Sequence, residues 1–234
     1  SLGNVVVAAH PTDPNIIVTG GYDGFLKLWD SRNSIPVATM NMGEPISHIA
    51  FKADGNSFVL CMNEIVAEME FDYSASVKMQ VACKSQSKIG KGKLTSLCFH
   101  NEENILIAGG SDGNVYILDS ANQYSVSATL PGHAHAIDGV DVSVSGKYLR
   151  TFARDVSGVV IDTKFYTLEK GDKVTFQPCV DSLYEELAKV VWRTAASPAA
   201  PQARGVLTPG VNVYTTVTSP ERDLLAVSYS DGNI

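Results

Sequence analysis

Apolar side chains recur along this chain at period two in short runs, with glycine and aspartate between the runs. Residues 16–20 read IIVTG and 25–29 read FLKLW; residues 105–109 read ILIAG and 114–118 read NVYIL. Runs of this length and alternation predict strands with one buried face. Asp23-Gly24 and Asp112-Gly113 separate the paired runs. Glycine accepts positive φ and aspartate bonds nearby backbone amides, so each pair predicts a hairpin turn. A strand is expected ahead of each hairpin, at 4–9 before His10-Pro11 and at 94–99 before His100-Asn101. Weaker runs at 46–51, 56–62 and 65–71 surround Asp54-Gly55. Others at 137–144, 147–152 and 158–162 follow Gly132-His133.

The hairpins are copies of each other. Residues 16–30 and 105–119 lie 89 positions apart and are identical at six of fifteen positions. A third copy, LAVSYSDGNI, occupies 225–234. Two units of about 44 residues fit that offset, the period of a four-stranded propeller blade. The expected fold is all-β: one β-propeller domain over 1–234 with about four blades and a partial fifth. The repeat phase starts at a blade's first strand and stops inside the third strand of another. Because unpaired strand edges invite aggregation, that phase predicts a piece of a longer propeller.

Trp29-Asp30 at the end of a third strand, Gly132-His133 ahead of the fourth unit, and the turn aspartates together resemble the WD-repeat pattern. The resemblance implies a structural network within each blade, linking a histidine, a Ser or Thr, the turn aspartate and the tryptophan. Its signature residues here are Thr19, Asp23, Gly24, Trp29, Asp30, Asp112, Gly113, Asp119, Gly132, His133, Asp231 and Gly232. The network is expected to be incomplete. Thr19 and Trp29 have no Gly-His before them, and Ala108 and Leu118 replace them in the third unit. His133 has only Asp155 as a nearby turn aspartate, and no tryptophan follows.

The period breaks once. Asp112 and Asp231 are 119 positions apart, about 30 more than two blades need. The excess falls in 171–210, read as a helix-plus-loop insertion between blades. Within it, 181–192 reads DSLYEELAKVVW, with Leu183, Leu187, Val190 and Val191 at helical spacing and Asp181 or Ser182 as cap. Residues 193–210, rich in Ala, Pro, Ser and Thr, predict a loop. Gly146-Lys147-Tyr148-Leu149, the Glu-Glu-Leu helix, Trp192-Arg193-Thr194, Gly205-Val206 and Asn212 resemble the echinoderm microtubule-associated protein-like family, best over 138–234. That resemblance implies a propeller interrupted by helix-plus-tryptophan segments and a scaffold bound to tubulin or a microtubule-associated complex. It also implies a cytoplasmic, cytoskeleton-associated location. A scaffold of a ciliary or signalling complex is the alternative.

Charge and composition narrow the chemistry. With 18 basic against 25 acidic side chains the net charge is −7, which argues against nucleic acid as a partner. No apolar stretch reaches membrane-helix length. Cys61, Cys83, Cys98 and Cys179 have no Cys-x-x-Cys spacing, so no zinc site or disulfide framework is indicated. His133 and His135 share a strand side, yet no carboxylate or cysteine stands at ligand spacing, and a blade-opening role is preferred to a metal site. Glu64, Glu68, Glu70 and Asp72 are read as a solvated strand edge rather than a glycosidase pair. Asp138 and Asp141 are the few acids available to a hydrolase site in a central funnel. No nucleophile or phosphate-loop motif occurs. The expectation is a non-catalytic protein without cofactor or metal, binding protein partners. Candidate contacts are the basic stretch 84–93, with Lys84, Lys88, Lys91 and Lys93 on a connection between blades, and the anchors Tyr184, Trp192 and Arg204.

Overall fold

The computed structural model describes residues 5–33, 35–72, 80–90, 92–100, 104–154, 160–170, 174–179, 190, 192, 213–218 and 225–229. They form four antiparallel four-stranded sheets and one strand pair. The first blade holds β1 (Val5–Ala9), β2 (Ile16–Gly21), β3 (Phe25–Asp30) and β4 (Ala38–Asn41). The second holds β5 (Ile46–Phe51), β6 (Ser57–Met62), β7 (Ile65–Asp72) and β8 (Gln80–Lys88). The third holds β9 (Leu94–Phe99), β10 (Ile105–Gly110), β11 (Asn114–Asp119) and β12 (Ser125–Pro131). The fourth holds β13 (Ile137–Val142), β14 (Tyr148–Arg154), β15 (Val160–Lys170) and β16 (Val174–Pro178). β17 (Val213–Thr218) pairs with β18 (Leu225–Tyr229). The strands β1, β5, β9 and β13 neighbour one another in turn, and β17 lies beside β1. This is the radial stacking of a propeller, with each blade's first strand innermost.

Alternation along the strands builds the core between blades. Ile16, Val18, Leu26 and Leu28 meet Ile46, Ile49, Phe58 and Leu60 in the first seam. Val59, Cys61 and Val66 meet Leu94, Leu106, Ala108 and Leu118 in the second. Ile105, Ile107 and Ile117 meet Ile137, Val142 and Leu149 in the third. The seams are close. A Cβ on Gly20 would fall 2.6 Å from Ile46 Cγ2, and one on Gly109 would fall 2.6 Å from Ile137 Cγ2. The same clearance at an 89-residue offset explains why the first and third units share glycine there.

Polar bonds stitch the innermost strands together. Ser47 Oγ donates to Leu94 O at 2.7 Å, and Thr95 Oγ1 donates to Gly109 O at 3.0 Å and to Ile137 O. Histidines clasp odd blades to even ones. His10 Nδ1 accepts from Asp13 N at 2.9 Å, so Nε2–H donates to Gly55 O, also at 2.9 Å. His100 Nε2 makes the equivalent bond to Gly146 O at 2.7 Å.

Two expectations change here. The basic stretch is no simple connection: residues 80–88 form β8, the outermost strand of the second blade. Of the expected 171–210 insertion, Val174–Pro178 forms β16 of the fourth blade, and most of the expected helix at 181–192 lies outside the described residues. At its end Trp192 forms a β-bridge with Ser143. The helical segment among the described residues is a short 3-10 turn, Ser120–Asn122.

Candidate interaction surface

Buried polar groups come first, because they decide whether this molecule holds reactive machinery or structural pairs. In the first blade Trp29 Nε1 donates to Thr19 Oγ1 at 2.8 Å. In the fourth, His133 Nε2 lies 2.7 Å from Thr151 Oγ1, and Asp162 Oδ2 lies 2.9 Å from Nδ1 as an ion-pair contact. Thr19 pairs in register with Lys27 and Thr151 with Lys164. Trp29 and Tyr166 stand two residues further on, so Tyr166 holds the tryptophan's place. The fourth blade's network is thus fuller than its sequence announces. Its acid comes from strand β15 instead of a turn, and its aromatic is a tyrosine. Burial holds the His133 imidazole below its ordinary value, opposed by the charge of Asp162.

Glu68 is 4 % exposed and sits in the second seam, against the expectation of a solvated edge. Lys52 Nζ reaches it at 2.6 Å, Tyr124 Oη at 2.9 Å and Ser57 Oγ at 3.3 Å. Burial pushes this carboxyl up, but the hydrogen bonds from Lys52 and Tyr124 and the charge of Lys84 bring it below the usual range. Burial raises the Tyr124 phenol, and the neighbouring Glu68 raises it further. A glutamate fits this apolar position only because donors saturate it.

Of the two acids considered for a funnel site, Asp138 is exposed. Asp141 is 1 % exposed and bonds Arg150 Nη2 at 2.5 Å. The Trp192 ring lies 4.3 Å from that guanidinium carbon and 5.9 Å from the Phe165 ring. Trp192, a candidate anchor, is half-buried against the fourth blade through these contacts. Among the described residues no cluster of three His, Cys, Asp or Glu is arranged to hold a metal.

The other candidates separate by position. Lys84 pairs with Glu70 at 2.8 Å and approaches Glu68 at 3.6 Å; Lys88 pairs with Glu64 at 2.7 Å. Their charge is met within the blade. Lys93 is exposed, whereas Lys91, Tyr184, Arg204, Asp231 and Gly232 lie outside the described residues. Asp30 Oδ1 accepts from Arg32 N at 3.0 Å and Asp119 Oδ1 from Ala121 N at 3.0 Å, both ending a third strand. Hydrogen bonds from Arg32 hold the Asp30 carboxyl below its ordinary value. Gly132 precedes His133, and Gly113 N bonds Gly110 O across the third-blade turn.

The exposed apolar side chains were not singled out from the sequence. Tyr22 is 52 % exposed, Phe25 38 % and Val5 54 %, all at one end of the first blade. The available signal was the repeat: Tyr22 and Phe25 stand where the third unit has Ser111 and Asn114.

Residues 3–30 and 83–119 match the WD domain, G-beta repeat family. The second match begins in β8 and runs to the end of β11, joining one blade's outer strand to three strands of the next. The chain is 26% identical over 157 residues to eukaryotic translation initiation factor 3 subunit I of Saccharomyces cerevisiae, covering 62% of this chain and 45% of that protein. It is 29% identical over 117 residues to the nuclear pore complex protein nup43 of Dictyostelium discoideum, covering 49% and 27%. To the WD repeat-containing protein 55 homolog of Drosophila willistoni it is 25% identical over 119 residues, covering 50% and 23%. The chain therefore spans about half the length of the first of these relatives, or less. The β-propeller domain of Myceliophteria thermophila Cps50 (Swd1) superposes with a TM-score of 0.53 at 12% identity, over 70% of this chain and 55% of that one. That likeness concerns the fold. None of these relatives is named as an echinoderm microtubule-associated protein, so of the resemblance expected over 138–234 the comparisons support the WD-repeat propeller and not that family.

Proposed function

We propose that this WD-repeat propeller chain is a non-catalytic scaffold, a component of a multiprotein assembly. The observation that carries this reading is its similarity to proteins named as a subunit of an initiation factor and as a nuclear pore complex protein. Side-chain chemistry supports it. Glu68, Asp141 and His133 are committed to pairs within or between blades. Stacked blades present their turns and edges to partners.

The test is reciprocal affinity purification of the full-length protein, followed by size-exclusion chromatography. Stoichiometric co-elution with a fixed set of proteins is expected. Elution as a free monomer from both directions would sink the proposal. The narrower readings, a tubulin or microtubule scaffold in the cytoskeleton or one in a ciliary or signalling complex, are distinguished by the proteins recovered and by microtubule co-sedimentation. The charge case for an acidic tubulin surface is weakened by the pairing of Lys84 and Lys88 with glutamates.

A further inference from the structure

The two-blade period of the sequence reappears in how the blades are joined. The backbone amides of His10, Lys52 and His100 donate alike to the second strand of their blades, at Ile16 O, Ser57 O and Ile105 O. These three residues therefore hold equivalent places in the first, second and third blades. His10 and His100 reach across to the next blade, at Gly55 O and Gly146 O. Lys52 turns back instead, to Glu68 of its own blade at 2.6 Å. Four residues beyond Ile16, Ser57 and Ile105 stand Gly20, Cys61 and Gly109. A Cβ on either glycine would fall 2.6 Å from Cγ2 of Ile46 or Ile137 in the next blade. In the second blade the Cys61 side chain fills that space, wholly buried in one cluster with Leu94 of the third. The first and third seams are one design used twice, and the second seam is another.

The second seam also has its own latch. Tyr124 of the third blade donates to Glu68 Oε2 of the second at 2.9 Å, and Ser87 Oγ donates to Gln123 O beside it. To make that reach, Gln123 and Tyr124 adopt left-handed φ values of 50° and 59°. Residues with side chains hold that conformation at a cost, which opening would relieve. Glu68 is 4 % exposed, and opening would return water to its carboxylate. The clasped seams would lose histidine bonds and close glycine–isoleucine packing. Ser47 and Thr95 bridge the second and third seams in the same way, so they do not separate the two.

We propose that the seam between the second and third blades is the parting line of this propeller. It opens locally while the first and second blades, and the third and fourth, stay clasped as pairs. The Tyr124–Glu68 bond is the latch that holds it shut. In a stacked array each unit is held by its nearest neighbours, so the interface with the least net stabilisation sets where the array parts.

Cys61 reports the opening, because it packs in that seam. The full-length protein is pulsed with N-ethylmaleimide, and each cysteine's labelling is read by peptide mass spectrometry. Val18→Cys and Ile107→Cys place equivalent reporters in the first and third seams, where both residues are wholly buried. Cys61 is expected to label roughly tenfold faster than either reporter, or more. Tyr124→Phe should speed Cys61 several-fold and leave the other two unchanged. The wild-type protein alone gives a second measurement, should a variant fail to fold. Its Cys61 labelling should respond to urea with a shallower slope than global unfolding, as a local opening does. A first- or third-seam reporter that labels as fast as Cys61 overturns the proposal. So does Tyr124→Phe if it leaves Cys61 unchanged or speeds all three alike. A urea slope equal to that of global unfolding overturns it as well.

Discussion

The first and third blades are near copies at an 89-residue offset, yet they solve one packing problem in two ways. Thr19 and Trp29 of the first are half-buried and bonded to each other, whereas Ala108 and Leu118 of the third are wholly buried and apolar. The difference follows the neighbours. The Ala108–Leu118 face lies against Val59, Cys61 and Val66 of the second blade, a dry seam where aliphatic contact suffices. Thr19 and Trp29 face away from the second blade, and the hydroxyl and the indole N–H satisfy each other. What defines a blade here is therefore the glycine and aspartate frame. The hydrogen-bonded network is added to that frame, half-buried at Thr19–Trp29 and buried at His133–Thr151.

The largest effect should come from opening the dry seam. Leu118→Ala is expected to cost about 2–5 kcal/mol, against about 1–2 kcal/mol for Trp29→Leu, which strands only the Thr19 hydroxyl. Equal losses in chemical denaturation would break the contrast. The turns come next. Gly24→Ala and Gly113→Ala both strain a left-handed residue by about 1–2 kcal/mol. Gly113→Ala adds a clash, since its Cβ would fall 2.1 Å from His133 O. It should therefore lower the melting temperature more than Gly24→Ala does.

Acid should probe the seams flanking the same two blades. Burial pushes the His48 imidazole down to about 4, so the fold holds it neutral while the unfolded chain protonates near 6.5. Its stabilisation is complete above 6.5 and fades as pH falls towards 4, on the order of 1–3 kcal/mol. His48→Gln should flatten that limb of a stability-versus-pH curve. The Glu68 carboxyl is held low, so its share is present above its ordinary value of 4.5 and goes only as pH drops through the lowered one. Tyr124→Phe should weaken that lower limb. The smallest effect belongs to the turn acids. Asp112→Asn, losing a three-bond acceptor, should cost about 1 kcal/mol, and Asp23→Asn a few tenths.

Strand order, blade count and turns were legible because each follows from neighbours a few residues apart. Asp-Gly turns and alternating runs reveal themselves within one hairpin. Three features escaped. β8 was hidden because its lysines disguise a strand whose ion-pair partners are Glu64, directly before β7, and Glu70, within it. Glu68 read as exposed because it alternates with acids that face water. Asp162 and Tyr166 were missed because the search around His133 was for a turn aspartate and a tryptophan, and it found Asp155 and no tryptophan.

By itself the sequence determined the period, the all-β class, the hairpin turns and the near-absence of reactive motifs. Those are local matters of backbone conformation and side-chain alternation. Only the tertiary structure decided which strand faces meet, and hence that Glu68 and Asp141 are buried and paired. Burial and pairing are properties of the seam between blades, and a seam joins residues that the chain keeps tens of positions apart.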